Sequence, residues 1–268
     1  MSTKPKPVRV PLRLVEKTLL GGAGRLGRFV LAPEDGAVLP AFTAGQYASI
    51  GLEIGGAFVK LPYSFASAPS ARGAIELFIA RVEGGELSPK LFETEPGARW
   101  LLINPRGEFT LARTERRRLV FVSTGTGLGP FRSIVADLRD RGRLGDHRIV
   151  VANGARAAEE LGYRDELADL DRARPDRFWY LPTVSRPEAA TPPELSEGRV
   201  DRVLGALLAG SPDGGIRLAP GATLERWAAF APPAETAVFL CGNPEMIAGV
   251  REALARAGYD QIFEEEYW

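Results

Sequence analysis

Apolar and polar residues follow two different rhythms along this chain, and the change comes near its middle. From Val8 to about Phe109 the apolar positions fall in short runs broken by glycine and proline. Val10–Glu16, Leu26–Ala32, Gln46–Leu52, Ala57–Leu61, Ile75–Arg81 and Ala98–Ile103 read as strands, with turn signals at Pro33-Glu-Asp-Gly36, Gly55-Gly56 and Asn104-Pro-Arg-Gly107. Strands at that spacing predict a small antiparallel barrel or sandwich. One helical interruption is predicted at Leu87-Ser88-Pro89, with Ser88 as the N-cap and Pro89 as the first helical residue. Residues 1–7 read as a loose arm.

After Arg118 apolar strands alternate with helical stretches. The strands are Leu119–Ser123, Ile149–Asn153, Phe178–Val184, Val238–Cys241 and Ile262–Glu265; the helices are 130–141, 160–172, 199–208 and 244–257. Residues 209–235, rich in Gly, Pro and Ala, predict a long surface loop with a short helix around Leu224–Phe230. The alternation predicts an open parallel sheet with helices on both faces. The boundary falls in the charged run Arg113–Arg118, giving domains of residues 1–112 and 113–268, and ligands commonly sit between two such modules.

Composition narrows the chemistry. The 268 residues are 45% hydrophobic and 25% charged, which suits a globular protein with real cores. Lys plus Arg and Asp plus Glu both number 34, so no net charge draws the chain to nucleic acid. The single cysteine leaves no intrachain disulfide, Cys-rich zinc site or Cys-ligated iron–sulfur cluster, and the single histidine weakens any metal or His-base mechanism. No apolar run approaches the ~18 residues of a membrane span, and the N-terminus lacks the apolar core of a signal peptide. The expectation is a cytoplasmic protein with neither a membrane nor a nucleic-acid partner.

The chemistry-bearing stretch is Leu119–Arg132, LVFVSTGTGLGPFR. A buried strand ends in Ser-Thr, glycines follow at alternate positions (Gly125, Gly127, Gly129), and Pro130 suits a first helical position. Backbone N–H groups at such a helix start, backed by the helix dipole, form an anion site, and glycine lets a pyrophosphate or nicotinamide approach closely. The spacing is not the G-x-G-x-x-G fingerprint, so a merely tight βα turn is the plain alternative.

Four stretches taken together carry a resemblance: Leu61–Pro69 (LPYSFASAP), Gly85–Leu91 (GELSPKL), Thr124–Pro130 (TGTGLGP) and Leu240–Met246 (LCGNPEM), followed by the closing EEEYW. In this order they resemble the ferredoxin–NADP⁺ reductase superfamily, most closely its bacterial FAD-containing ferredoxin/flavodoxin–NADP⁺ reductases. The resemblance spans nearly the whole chain. It implies an antiparallel six-stranded flavin-binding β-barrel followed by a parallel-sheet NADP(H)-binding α/β domain, with FAD and NADP(H) as cofactors. It also implies ferredoxin or flavodoxin as partner, no metal, and a monomer.

The resemblance assigns residues. Tyr63 lies against the isoalloxazine ring and Ser64 near the flavin nitrogen that receives hydride, with Phe65, Ala66 and Ser67 continuing the FAD stretch; the plain alternative makes Tyr63 a core aromatic. The family arginine two residues before the tyrosine is Leu61 here, a departure that leaves Lys60, Lys90 or the backbone around Gly85–Ser88 to meet the FAD diphosphate. Gly85, Leu87 and Ser88 match the diphosphate segment, or else form a plain helix cap. Thr124, Gly125 and Gly127 match the nicotinamide loop, and Thr126 falls near the flavin contact. Cys241 matches a residue at the nicotinamide, with Gly242, Asn243 and Met246 beside it; the bland reading of Cys241 is a small buried hydrophobe. Arg156, Ser185-Arg186 and Arg199 match positions that hold the 2′-phosphate of NADP, for which arginine is the natural fork. Tyr267 and Trp268 match terminal aromatics that cover FAD, since exposed terminal aromatics are a liability unless packed. Glu265 is the carboxylate expected near the reacting atoms, with Glu264 and Glu266 competing for that place. Arg9, Arg13, Lys17, Arg25, Arg28 and Arg113–Arg118 offer a basic face for an acidic carrier, or only a solvated surface.

The expected activity is an NADPH-linked, FAD-dependent oxidoreductase delivering electrons to ferredoxin or flavodoxin. Two alternatives stand beside it. One is the reductase component of an oxygenase or a free-flavin reductase; the other is a non-catalytic redox-sensing module, which Leu61 keeps open.

Overall fold

The computed structural model describes residues 9–22, 24–71, 73–211 and 215–266. Contacts divide the chain into two units. One comprises residues up to Arg113 together with Gly129–Asp140, and the other Thr114–Leu128 together with residues from Arg141 on.

The first unit is built on six antiparallel strands: β1 (Arg9–Leu20), β2 (Leu26–Pro33), β3 (Tyr47–Ile54), β4 (Ala57–Ser64), β5 (Ile75–Ala80) and β6 (Arg99–Arg106). Their order is β4-β3-β6-β1-β2-β5, and an antiparallel bridge between Phe65 and Leu77 brings the two edges towards closure. Alternate positions face inward, as half-buried strands require. Leu12, Leu14, Phe29, Leu31, Ile50, Ile75, Leu77, Ile79, Trp100 and Leu102 share one core. Phe29 sits at its centre, meeting Phe92 edge-on at 5.1 Å and Trp100 at 5.3 Å.

Two strands run further than their sequence pattern. β1 continues past Glu16 to Leu20, because a register shift between Leu14 and Glu16 lets it go on pairing with β2. β4 continues past Leu61 to Ser64, Pro62 included, because every residue from Ala57 to Ser64 finds a partner on β3. β4 lies at the edge of the order, where a missing proline N–H is tolerated.

The helix α1 (Ser88–Glu93) corrects the capping expectation. Leu87, not Ser88, stands at the N-cap, and its carbonyl accepts the Leu91 N–H. The Ser88 hydroxyl instead accepts the Val82 N–H at 3.0 Å, closing the preceding turn.

The second unit holds six strands in the order β10-β9-β8-β7-β11-β12: β7 (Arg118–Thr124), β8 (Arg148–Ala155), β9 (Phe178–Val184), β10 (Ser196–Glu197), β11 (Thr236–Gly242) and β12 (Gln261–Glu266). All the pairings are parallel. The strands are apolar on both faces, as a covered parallel sheet demands. One face, with Val120, Val122, Val150, Trp179, Val238 and Leu240, shares a core with α4 (Val200–Ala209), α5 (Leu224–Phe230) and α6 (Pro244–Arg256). The helix α3 (Arg164–Ala173) packs along β9.

The helix after the glycine stretch, α2 (Leu128–Asp140), starts two residues before the expected 130. A 3₁₀ turn over Gly125–Gly127 runs straight into it, so Pro130 is its third residue. Proline is still tolerated there, because first-turn N–H groups have no partner inside the helix. The 160–172 stretch likewise resolves into a 3₁₀ turn at Ala158–Glu160 and a helix beginning at Arg164. Among the described residues no helix is long and apolar enough to cross a membrane.

Candidate active site

The carboxyl ends of β7, β8, β11 and β12 bring one row of polar residues together. Glu265 pairs with Cys241, Cys241 with Ser123, and Ser123 with Asn153, each on the neighbouring strand. Paired residues on adjacent strands share a face. Two positions earlier the same face carries Phe263, Phe239 and Phe121, with centroid spacings of 4.8 and 5.8 Å. A polar row therefore stands on an aromatic floor. The Ser123 hydroxyl donates to Asn153 Oδ1 at 3.0 Å, and Cys241 is fully buried.

Glu265 is the member of the row whose charge is costly. Its Oε2 is buried with no hydrogen-bond partner, and burial pushes its carboxyl up to about 7. Glu264, one residue back and on the opposite strand face, is tied to Arg251 at 3.3 Å, and Glu266 is exposed. Of the three glutamates, Glu265 is the one brought to Cys241. Tyr267 and Trp268, expected to cover the flavin, lie outside the described residues.

The glycine turn closes on this row. At Gly127 a Cβ would stand 2.2 Å from the Cys241 carbonyl oxygen, so only glycine lets the turn lie against the end of β11. Gly242 answers from the other side: its φ of +147° suits glycine, and a Cβ there would meet Thr124 Oγ1 at 2.3 Å. The Thr124 hydroxyl accepts the Asn243 N–H at 3.2 Å, joining the two loops. Gly125 adopts φ +50°, and Thr126 is half-buried beside it. The Asn243 side-chain oxygen, Oδ1, caps α6 by accepting from the Glu245 and Met246 N–H groups, and Met246 is buried in the sheet's core. Those two side chains hold the loop in place.

The arginines expected at a 2′-phosphate divide into two kinds. Arg156 and Arg186 follow β8 and β9, and the Arg186 N–H donates to the Arg156 carbonyl at 2.8 Å. Both are exposed, and among the described residues neither guanidinium is paired with a carboxylate. Ser185 lies between, its hydroxyl on the Ala155 carbonyl at 3.3 Å. Arg199, at the N-cap of α4, is instead held by Asp201 at 3.2 Å and Glu245 at 3.3 Å. Arg186 also lines an open cavity of about 360 Å³ with Arg164, Glu188 and Thr191.

The other expected cofactor residues lie in the first unit. Tyr63 and Ser64 end β4; Tyr63 is partly buried against the barrel core, and burial pushes its phenol well above the usual range, so it stays neutral. Leu61 shares a strand face with Tyr63 and is 48% exposed, a large apolar group at the surface. Phe65 is fully buried and stacks on Phe42 at 4.0 Å, so the core takes its side chain. Ala66 and Ser67 are buried next to β5. Gly85 closes a turn onto the Val82 carbonyl, while Leu87 and Ser88 are buried. Lys60 and Lys90 are exposed.

A backbone-lined turn without room for side chains, and a buried carboxyl oxygen lacking a partner, suit a bound dinucleotide more than a dry core. The sequence did not single out Ser123, Asn153 or Glu76. Their signal was a polar residue inside an apolar strand, which becomes legible only once strand pairing is known.

Comparison with known proteins places both units in known domain families. Residues 11–111 match the family model described as an oxidoreductase FAD-binding domain, and residues 121–252 that of an oxidoreductase NAD-binding domain. The flavodoxin/ferredoxin–NADP reductase of Escherichia coli is 30% identical over 213 residues, 78% of this chain and 77% of that one. Ferredoxin–NADP reductase B of Sorangium cellulosum is 40% identical over 146 residues, 54% of this chain; the match spans only 58% of that relative's length. The fold is that of a ferredoxin NADP⁺ reductase from Neisseria gonorrhoeae solved with bound FAD and NADP: TM-score 0.76, 24% identity, covering 97% of this chain and 99% of that one.

Proposed function

Because this chain belongs to the ferredoxin–NADP⁺ reductase family of FAD- and NAD-binding oxidoreductases, we propose that it oxidises NADPH and passes electrons singly to a ferredoxin or flavodoxin. Held by the Tyr63–Ser67 stretch, FAD would supply acceptance of hydride from the reduced nicotinamide and single-electron delivery to the carrier. The chain's own residues orient the reactants. Tyr63 offers the flavin a neutral aromatic face, and the Ser64 hydroxyl a group able to hydrogen-bond a ring nitrogen. Gly127 and Gly242 admit the nicotinamide close to the backbone, and Cys241 and Glu265 form the floor on which it rests. Positioning supplies most of the rate where the cofactors carry the chemistry.

The observation that carries this reading is the buried, unpartnered Glu265 Oε2 in register with Cys241. Its partner on this reading is the bound cofactor system. Cofactor choice rests on the arginines. A 2′-phosphate dianion is best met by guanidinium groups not already neutralised, which favours Arg156 and Arg186 and leaves Arg199 as a tie across α4 and α6.

The test is anaerobic. NADPH, and separately NADH, is added to the purified protein while the visible spectrum is followed. A yellow protein bleached much faster by NADPH supports the reading, and Arg186→Ala then raises KM for NADPH ten-fold or more while leaving NADH unchanged. Faster bleaching by NADH keeps the reductase and removes the 2′-phosphate assignment. A protein that holds no FAD overturns the proposal. Reduction of an oxygenase partner but of neither carrier moves the reading to an oxygenase reductase component.

A further inference from the structure

Glu76 stands on the face of β5 that a half-buried strand leaves to polar residues, yet that face is covered here. It lies in β5 between Ile75 and Leu77, both core residues, and is itself only 8% exposed. Two guanidinium groups meet it, one on each oxygen. Arg28 Nε, from β2, donates to Oε1 at 2.7 Å; Arg132 Nη1, from α2, donates to Oε2 at 3.3 Å. A buried charge survives in such a place only when it is paired and hydrogen-bonded.

The neighbours of this bridge show what it holds. The same Arg132 Nη1 donates to the Ala66 carbonyl at 2.8 Å. The Ser133 hydroxyl, next along α2, donates to the Ser67 carbonyl at 2.6 Å. From the other side the Glu76 carbonyl accepts the Ala66 N–H, and the Glu76 N–H donates to the Ser67 hydroxyl at 3.0 Å. Ala66 thus has both main-chain polar groups engaged, one by β5 and one by α2. Ser67 has its carbonyl held by α2 and its hydroxyl by β5. These residues continue directly from Tyr63 and Ser64.

We propose that Glu76, with Arg132 and Ser133, positions the Tyr63–Ser67 segment against FAD, so that FAD affinity and the flavin spectrum depend on a bridge that need not touch the flavin. The proposal rests on the reading that this segment contacts FAD. It makes Glu76 and Arg132 positioning residues. Arg28 closes the charge pair from β2. The helix that follows the glycine turn is thereby a strut of the flavin strand.

The experiment measures FAD dissociation from the holoprotein by recovery of free-flavin fluorescence on dilution, with the visible spectrum of the bound flavin recorded alongside. Glu76→Gln keeps the shape and removes the charge; it is expected to weaken FAD binding ten-fold or more and to shift the bound-flavin absorption. Arg132→Lys keeps a cation, but its ammonium sits one bond nearer the backbone than the Nη1 that meets both acceptors, and an intermediate loss is expected. Ser133→Ala removes one tether and should give a smaller change of the same sign. Binding of 2′,5′-ADP should be unchanged in all three. Parental FAD affinity and an unshifted spectrum in Glu76→Gln, whether or not its melting temperature falls, would overturn the proposal. If Glu76→Gln does not fold, Arg132→Lys and Ser133→Ala decide by the same two readouts. A parent protein that takes up no FAD overturns the underlying reading of the segment instead.

Discussion

At the scale of single residues, the site is set by what has no partner and by what has no room. Glu265 is the clearest case of the first. Its folded-state carboxyl is raised by burial to about 7 from an ordinary 4.5. The native protein therefore holds this proton more tightly than the unfolded chain does, and the sign follows from proton linkage. Below the unfolded pKa both states are protonated and the group costs nothing. As pH rises from 4.5 towards 7 the unfolded chain ionises first, and stability falls. Glu265→Gln should remove that fall: equal stability to the parent near pH 4, and a gain on the order of 2 kcal/mol at pH 8, allowing for partial solvent access. Urea unfolding at the two pH values checks it, and a variant no more stable at pH 8 would mean that the carboxyl ionises freely. Gly127 is the case of no room. A methyl group 2.2 Å from the Cys241 carbonyl oxygen must displace backbone, not a flexible side chain. Gly127→Ala should cost roughly 2 kcal/mol or more and raise KM for the dinucleotide at least ten-fold, measured by steady-state kinetics.

At the scale of elements, the polar contacts that fix the loops matter as much as the apolar ones. Trp227 Nε1–H, on α5, donates to the Tyr259 hydroxyl at 2.7 Å, which donates to the Ala231 carbonyl at 2.5 Å. One hydroxyl thus anchors the end of the Gly/Pro/Ala-rich region in which the sequence predicts a short helix around Leu224–Phe230, the helix found as α5. Tyr259→Phe leaves a buried donor and a buried acceptor unpaired, for which about 2–3 kcal/mol of lost stability is expected. Thermal unfolding tests it, and a loss below about 0.5 kcal/mol would show that water replaces the hydroxyl. The apolar strands of the parallel sheet were legible because a strand covered on both faces is a continuous hydrophobic run. β10 was not, since Ser196-Glu197 is two residues long and carries no apolar pattern. Ser88 was misread because a serine before a proline satisfies the capping rule whichever backbone group its hydroxyl meets. The Cys241–Glu265 pair was nameable residue by residue through the family resemblance. Its register, and the Ser123–Asn153 bond beside it, depend on strands far apart in sequence lying next to one another. Glu76 was invisible for the same reason: its partners come from residues 28 and 132.

At the scale of the whole molecule, the question is whether charge guides a carrier protein to the surface. The sequence offers basic residues in two clusters and a net charge of zero. The structure shows where many of those cations are spent. Arg9 faces Glu53 at 3.8 Å, Arg13 faces Glu34 at 3.7 Å, and Lys17 meets Glu95 at 2.6 Å. Arg28 is on Glu76 at 2.7 Å, Arg116 on Asp260 at 2.7 Å, and Arg118 on Glu235 at 2.9 Å. A cation beside its own carboxylate contributes a dipole, whose field decays much faster with distance than that of a free charge. Long-range steering needs a net field that reaches beyond the Debye length of about 8–10 Å. The expected outcome is therefore a weak salt effect. Raising ionic strength from about 0.05 to 0.3 M, which shortens the Debye length roughly 2.5-fold, should slow electron transfer to an acidic carrier by less than about three-fold. Stopped-flow reduction of the carrier at the two salt concentrations decides the matter. A ten-fold or larger fall is the mark of steering by unpaired charge, and it would mean that these ion pairs open when the carrier approaches and lend their cations to it.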